Sequence, residues 1–345
     1  MKKLCEIPKK MKALVLHGIG DLKYESVNNY ELKEDMVIVK IKYCGICSSD
    51  IERVFINGTY HFPTIPGHEM SGQIVCVNDT DEDLLGKKVS IFPMLPCMKC
   101  SACKIEEYAQ CSNYNYFGSR CDGGFSEYLL VPKWNLVFFD DSIDYKVACL
   151  CEPTAVSLHA VNIANITNKD KVAISGTGTI AFLIAYLAKD KGATVTIVGR
   201  NKNKLKLAKE NGFDIMEINE IEKSHKFNKV FEVVGSNASI NQAISLADSL
   251  GTVVLVGNPK EDVVLEKNVY WKILRGQLKI KGSWNSSYGT KINDWKEVIK
   301  YMKEGNIPFE KLITKEYVMK DYKEAFDFLM NKNTEKLKVV LKNEE

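Results

Sequence analysis

Lys171-Val172-Ala173-Ile174-Ser175-Gly176-Thr177-Gly178-Thr179-Ile180-Ala181 is the stretch that decides the fold. A short apolar strand runs into G-x-G-x-x-A, and an apolar helix follows to about Ala188. Gly176 permits a tight turn, and Gly178 lets a backbone approach a pyrophosphate. The small Ala181 lets helix and strand pack closely. The phosphates would rest on the helix N-terminus, beside Thr179 and Ile180. A glycine pattern alone is weak evidence; its place between strand and helix makes it a βαβ unit.

Downstream, the alternation continues. Thr194 to Val198 reads as a second strand and ends in Gly199-Arg200. An NAD site usually has an acidic residue there to accept the ribose 2′-hydroxyl. Glycine followed by arginine suits a 2′-phosphate instead, since arginine binds it bidentately. The reading is NADP(H) over NAD(H), with Lys204 assisting. Lys229 to Val234 is a strand, Ala238 to Ala247 a helix, Thr252 to Val256 a strand. Val234 and Gly257 then lie at the carboxyl ends of strands, where a doubly wound parallel sheet meets its ligand. Trp271 and Trp295 read as core anchors, while Trp284 and Asn285 are candidates for the substrate side. Helices near 292–303 and 323–330 lead to a last strand, Leu337 to Leu341.

Upstream, the pattern differs. Met11 to Leu16 reads as the first strand, and the ten polar residues before it as a loose extension. Met36 to Tyr43 alternates, with Val37, Val39, Ile41 and Tyr43 on one side, as a half-buried strand does. Short strands at 73–77, 88–92 and 125–131, with Gly and Pro between them, fit a mostly antiparallel β domain. Within it Cys97, Cys100, Cys103 and Cys111 form C-x2-C-x2-C-x7-C. Four thiolates at this spacing can wrap one tetrahedral zinc with no open position, which makes that ion structural. A second ligand set is scattered: Cys44-Gly45-Ile46-Cys47-Ser48-Ser49-Asp50, then Gly67-His68-Glu69, then Cys151-Glu152-Pro153. Thiolate, imidazole and carboxylate are the donors of a catalytic zinc, which keeps one position for water or substrate.

The 345 residues suffice for two domains. With 47 basic and 44 acidic side chains, the net charge of +3 points to no nucleic-acid partner. The longest apolar run, Ile180 to Ala188, falls far below the ~20 residues of a membrane span. Met1 to Pro8 has no apolar secretion core, so a cytoplasmic location is expected. Eleven cysteines then read as thiols and metal ligands, with no disulfide framework. Cys44, Cys76, Cys121, Cys149 and Cys151 read as packing residues. His17, His159 and His225 are given no catalytic role.

From Lys12 to Leu341 the chain resembles the zinc-dependent medium-chain alcohol and polyol dehydrogenases. The stretches that carry the likeness are Cys47-Ser48-Ser49-Asp50-Ile51, Pro66-Gly67-His68-Glu69, Leu95-Pro96-Cys97, Phe117-Gly118-Ser119-Arg120, Asp122-Gly123-Gly124-Phe125 and Gly282-Ser283-Trp284-Asn285. The family pattern G-I-C-x-[ST]-D implies Cys47, not Cys44, as the catalytic ligand, with His68 and Glu69 next. Glu152 either ligates the zinc or stands one water away, so Glu69 and Glu152 both remain candidates. Asp50 is implied to orient His68, and Ser49 to relay a proton; a helix N-cap at Ser49 is the plainer alternative. His61 and Arg120 are placed near the substrate cleft, with surface roles the plainer reading.

The resemblance implies a GroES-like zinc domain of residues 1–155 and 287–345. A Rossmann domain of residues 156–286 interrupts it, and the active site lies in the cleft between them. One catalytic and one structural zinc per chain are expected, in a homodimer or homotetramer. The implied activity is reversible oxidation of a secondary alcohol on a sugar alcohol. The closest likeness is to the branch that converts galactitol 1-phosphate to tagatose 6-phosphate using NAD, against the Gly199-Arg200 reading. The alternatives are a sorbitol- or butanediol-type polyol dehydrogenase, another phosphopentitol or phosphoketose reductase, and a non-catalytic NADPH-binding protein.

Overall fold

A computed structural model describes residues 3–220, 227–331 and 334–344; His225 lies outside the described residues. The chain divides into two compact units. One comprises Met1–Glu152, Ser287–Thr334 and Lys338–Glu345, the other Pro153–Ser286 and Glu335–Leu337.

In the second unit six parallel strands build one sheet. Lys171–Ser175 lies inside it, between Thr194–Gly199 and Phe227–Glu232. Asp214–Glu217 forms one edge; Ala247–Leu255 and then Lys279–Gly282 complete the other side. In sequence order the strands stand 3-2-1-4-5-6, the order of a dinucleotide-binding sheet. Val172 to Ser175 are all buried, as expected of a parallel strand covered on both faces. Thr179–Asp190 is the crossover helix, and Phe182, Leu183, Ile184 and Leu187 along it are fully buried. Each contributes about 1.5–3 kcal/mol by burial, so packing holds this helix in place.

In the first unit the strand Met36–Ile46 is central. It pairs antiparallel with Glu69–Asn78, Tyr128–Pro132 and Lys338–Lys342. The last strand therefore returns to this sheet, with Val339 opposite Ile46 and Leu341 opposite Cys44. Ile313–Val318 pairs in parallel with Lys338–Lys342. Val37, Val39 and Ile41 join the main core. Ile38, however, is equally buried, because Leu32 and Cys76 make a small second core on the opposite face. The strand is thus covered on both sides over part of its length, and the half-buried expectation is corrected.

Three further expectations fail for identifiable reasons. The N-terminal extension is not loose: Lys3–Cys5 is a strand paired with Glu69–Asn78. Cys76 is not merely a packing thiol. It faces Cys5 across that antiparallel pair at a Cα–Cα distance of 4.4 Å, and the two form a disulfide. Directly opposed residues approach this closely only where the ladder brings their side chains together. Trp295 is fully buried, but Trp271 is 42% exposed. It lies on the outer side of the helix Lys267–Gly276, with Lys267 and Arg275 over its ring at 4.7 and 4.6 Å.

An aromatic cluster fastens the returning segment to the first unit. Tyr288 stacks on Phe92 at 4.2 Å, and its hydroxyl donates to the carbonyls of Trp134 and Leu136. Thr290 holds the Glu106 carboxylate through its N–H, at 2.7 Å, and its hydroxyl. Glu106 belongs to the cysteine lobe, so this contact anchors the lobe as well.

Candidate active site

Cys47, His68 and Glu69 arrive from two strand ends. Cys47 follows Met36–Ile46 and opens the helix Ser48–Glu52; His68 and Glu69 stand where Glu69–Asn78 begins. One ligand atom from each lies within 4.8 Å of the others. Glu69 is 1% exposed, and its Oε2 has no hydrogen-bond partner. Gly45 makes this position possible, since a Cβ there would stand 2.1 Å from that oxygen. Oε1 accepts instead from the buried Lys338 ammonium at 2.6 Å. A buried carboxylate with one oxygen unpaired, grouped with a thiol and an imidazole, fits a zinc ion.

Asp50 organises the cluster. Its carboxylate is fully buried and accepts from the Cys47 N–H at 2.9 Å, which ties the Cys47 backbone to the helix. The other oxygen lies 3.4 Å from His68 Nδ1 and 3.3 Å from Arg53 Nη1. At 3.4 Å the imidazole contact is charge opposite charge and lacks hydrogen-bond geometry. Burial pushes the Asp50 carboxyl up, but His68, Arg53 and the Cys47 N–H together bring it below its usual range. Burial works against charge on His68, and Asp50 and Cys47 override it, holding its proton well above the usual range. The helix cap at this end is Cys47, not Ser49. Ser49 Oγ instead accepts from Arg53 Nη1 at 2.9 Å.

Glu152 stands outside the close trio. It opens the helix Cys151–Ala164, 7% exposed, and its Oε1 accepts from the Tyr116 hydroxyl at 3.3 Å. Burial lifts its carboxyl to about 7; His68 pulls it down and Glu69 pushes it up. Its carboxylate is therefore close enough to feel both partners.

The four lobe cysteines also come together, with their sulfurs within 4.8 Å of one another. Cys100 Sγ lies 3.5 Å from Cys103 Sγ and 3.9 Å from Cys111 Sγ. Zn–S bonds of ~2.3 Å make tetrahedron edges of about 3.8 Å, so the sulfurs fit one zinc. The backbone N–H groups of Cys103 and Ser112 lower Cys100 to about 6, which favours the thiolate a metal needs. Burial raises the Cys103 thiol to about 12.

The second unit is open where a dinucleotide would bind. Gly176 has φ +138°, and a Cβ there would meet the Val233 side chain at 2.6 Å. Gly178 caps the helix that begins with Thr179 and Ile180, and a Cβ on it would meet nothing within 4 Å. A Cβ on Gly199 would stand 2.5 Å from the Thr177 methyl, so a carboxylate side chain has no room there. Arg200 is exposed. Val234 is 49% exposed, and Gly257 packs against the backbone of Gly235.

Three residues escaped the sequence reading. Lys338 lies 269 positions from Glu69, and no local pattern marks it. Glu232 is fully buried, and its Oε1 accepts from the N–H groups of Val234 and Gly235 at 2.8 and 2.9 Å. It fixes the turn that ends its strand; a glutamate closing an apolar strand was the available signal. Lys336 is lowered by burial and by the charge of Lys204, so two ammonium groups stand near each other in this unit. Trp284 is 52% exposed; Cys44, Cys149 and Cys151 are buried thiols, while Cys121 is partly buried. His17 pairs with Glu25 at 3.0 Å.

Comparison with known proteins agrees with this arrangement. Residues 33–141 match the alcohol dehydrogenase GroES-like domain, and residues 178–304 match the zinc-binding dehydrogenase model. The chain is 34% identical to galactitol 1-phosphate 5-dehydrogenase of Escherichia coli K12 over 293 residues, 81% of this chain and 85% of that one. The chain belongs to the zinc-dependent medium-chain alcohol and polyol dehydrogenases. It is accordingly an oxidoreductase of that family. A crystal structure of galactitol-1-phosphate dehydrogenase from Escherichia coli superposes with a TM-score of 0.89 at 31% identity, covering 96% of this chain and 99% of that one. D-arabitol-phosphate dehydrogenase of Enterococcus avium is 29% identical over 95% of this chain and 96% of its own length. A zinc-binding dehydrogenase from Sinorhizobium meliloti 1021, solved with NADP, has a TM-score of 0.88 at 26% identity, covering 97% of this chain and all of that one. Among the described residues no helix is long and apolar enough to cross a membrane.

Proposed function

We propose that this enzyme interconverts a sugar-alcohol phosphate and a ketose phosphate, with galactitol 1-phosphate and tagatose 6-phosphate as the pair. The observation that carries the reading is the grouping of Cys47, His68 and Glu69, whose buried Oε2 is unpaired. These three residues would hold the catalytic zinc, with Glu152 as the alternative or exchanging carboxylate. Cys97, Cys100, Cys103 and Cys111 would hold the structural zinc. When bound, the catalytic zinc supplies Lewis acidity toward a substrate hydroxyl, and the nicotinamide accepts the carbinol hydride.

The chain's own residues do the rest. Asp50 fixes Cys47 by its backbone and His68 by its charge. Ser49 Oγ takes the hydroxyl proton toward solvent. Arg53 only donates to that oxygen, so the Ser49 hydroxyl hydrogen stays free to pass on. Gly176, Gly178, Thr179 and Ile180 receive the pyrophosphate at the helix N-terminus. NADP(H) is favoured over NAD(H): Thr177 closes the space for an acid at Gly199, and Arg200, Lys204 and Lys336 supply positive charge.

The NADP-bound neighbour supports the cofactor reading, and the two phosphate-named relatives support the substrate class. The second of these favours a pentitol phosphate as the alternative substrate. A homo-oligomer is supported by the edge strand Lys279–Gly282, exposed along its length, and by exposed Tyr270, Trp271 and Leu274 nearby in sequence.

Initial velocities with galactitol 1-phosphate, galactitol and sorbitol, each with NADP+ and NAD+, test the proposal. It predicts that the phosphorylated substrate and NADP+ give the highest kcat/KM. Equal use of sorbitol would move the enzyme to the unphosphorylated polyols. A preference for NAD+ would overturn the reading of Gly199-Arg200.

A further inference from the structure

Arg120 is held in an unusual setting. Its guanidinium lies over two tyrosine rings, 4.1 Å from the Tyr60 centroid and 4.5 Å from that of Tyr114. Nη2 donates to the Tyr60 hydroxyl at 3.1 Å. Among the described residues no carboxylate pairs with it. Two aromatic rings lie against it, and no described carboxylate neutralises its charge. What remains available is its edge, the part of a guanidinium that binds an oxyanion bidentately.

The loop carrying Arg120 is fixed to the metal-binding segment. Gly118 packs on Gly67, the residue before His68, so closely that a Cβ on Gly118 would stand 2.6 Å from the Gly67 carbonyl oxygen. The N–H of Gly124 donates to that same carbonyl at 2.8 Å. Tyr60 N–H donates to Ser119 O at 3.4 Å, joining the loop of Tyr60 to that of Arg120. Tyr114 also leads inward: its ring lies 6.5 Å from that of Tyr116, which lies 5.8 Å from the His68 ring. Aromatic contacts therefore connect the metal cluster to the guanidinium.

We propose that Arg120, held against Tyr60 and Tyr114, binds the phosphate of the substrate and sets the preference for phosphorylated over free polyols. The proposal rests on the polyol-phosphate reading above. Cation–π contact with the two rings orients the guanidinium without neutralising its charge. A guanidinium held against two rings, on a loop tied to the segment that carries His68, is prearranged for an anionic substrate group.

The test compares kcat/KM for galactitol 1-phosphate and for galactitol in the zinc-loaded wild type, R120A and R120K, with NADP+ in excess. The expected result is at least a tenfold fall in the ratio of the two values in R120A, carried by the KM for the phosphate, with partial recovery in R120K. R120Q, which keeps a flat group against the rings, is read in the same way should R120A not fold. A wild type that prefers the phosphate while the variants keep its ratio would overturn the role of Arg120. So would equal losses on both substrates, the result of a merely structural arginine. A wild type without preference would instead overturn the polyol-phosphate reading, and that outcome is seen before any variant is made.

Discussion

At the scale of single residues, the pairing of Glu69 with Lys338 governs how the metal cluster tolerates burial. Lys338 is 4% exposed and Glu69 1%, so neither charge reaches water freely. Burial pushes the ammonium down, but Glu69, Cys47 and Glu152 raise it beyond its ordinary value. Because the folded value lies above the unfolded one of ~10.4, the stabilisation is fully present below that pH. It is lost as the pH rises through the higher folded value. Lys338→Met is therefore expected to lower the unfolding free energy of metal-free protein by ~3–5 kcal/mol at pH 7, the cost of stranding a buried charge. The deficit should shrink as the pH rises above ~10.4 toward the higher folded value, because the unfolded wild-type lysine releases its proton there while the folded one must still hold it. Urea unfolding at the two pH values checks this, and a loss below ~1 kcal/mol at pH 7 would mean that Glu69 finds another partner. Cys47, His68 and Glu69 were legible because each sits in a short pattern of the right donor types. Lys338 was not, since the only thing joining it to Glu69 is a strand that returns from 269 positions away.

At the scale of elements, the cysteine lobe is the clearest case of a local pattern specifying a local structure. It has only the four-residue helix Ser101–Lys104, a 3₁₀ turn at Tyr108–Gln110 and few apolar residues of its own. A segment so poor in core would depend for its order on a zinc held by its four cysteines. Cys100→Ser is expected to remove one zinc per chain and to lower the melting temperature, with the Cys47 cluster still loaded. Unchanged zinc content and melting would show that the lobe stands without the ion. Other elements were readable in part. The βαβ alternation was plain because strand and helix periods switch sharply around Gly176 and Gly178. Lys3–Cys5 was hidden because three residues carry no periodicity, and only pairing with Glu69–Asn78 makes them a strand. Trp271 was misjudged because size argues for burial, whereas on this helix it covers an outer face beside Lys267 and Arg275. The cap at Cys47 in place of Ser49 puts a candidate metal ligand and a helix start on one residue.

At the scale of the whole molecule, two units of different architecture each carry one candidate site, metal ligands in one and a dinucleotide-type turn in the other. The mostly antiparallel sheet brings Cys47, His68 and Glu69 together at adjoining strand ends, with Gly45 leaving room for the carboxylate. The parallel sheet opens a helix N-terminus at Gly178 and fixes its carboxyl-end turn with Glu232. The fold class was legible from composition, spacing and one glycine pattern; the identity of the sugar was not, because the contacts proposed to set it, such as Arg120 over Tyr60 and Tyr114, join separate loops. The central claim is that Cys47, His68 and Glu69 hold a zinc ion on which turnover depends. Its most direct test is the zinc content per chain of wild type and His68→Ala, measured by atomic absorption alongside activity and circular dichroism. The account predicts two zinc ions in the wild type, and one in a folded, inactive His68→Ala held by the cysteine lobe. A folded His68→Ala with one zinc ion and undiminished activity would contradict it.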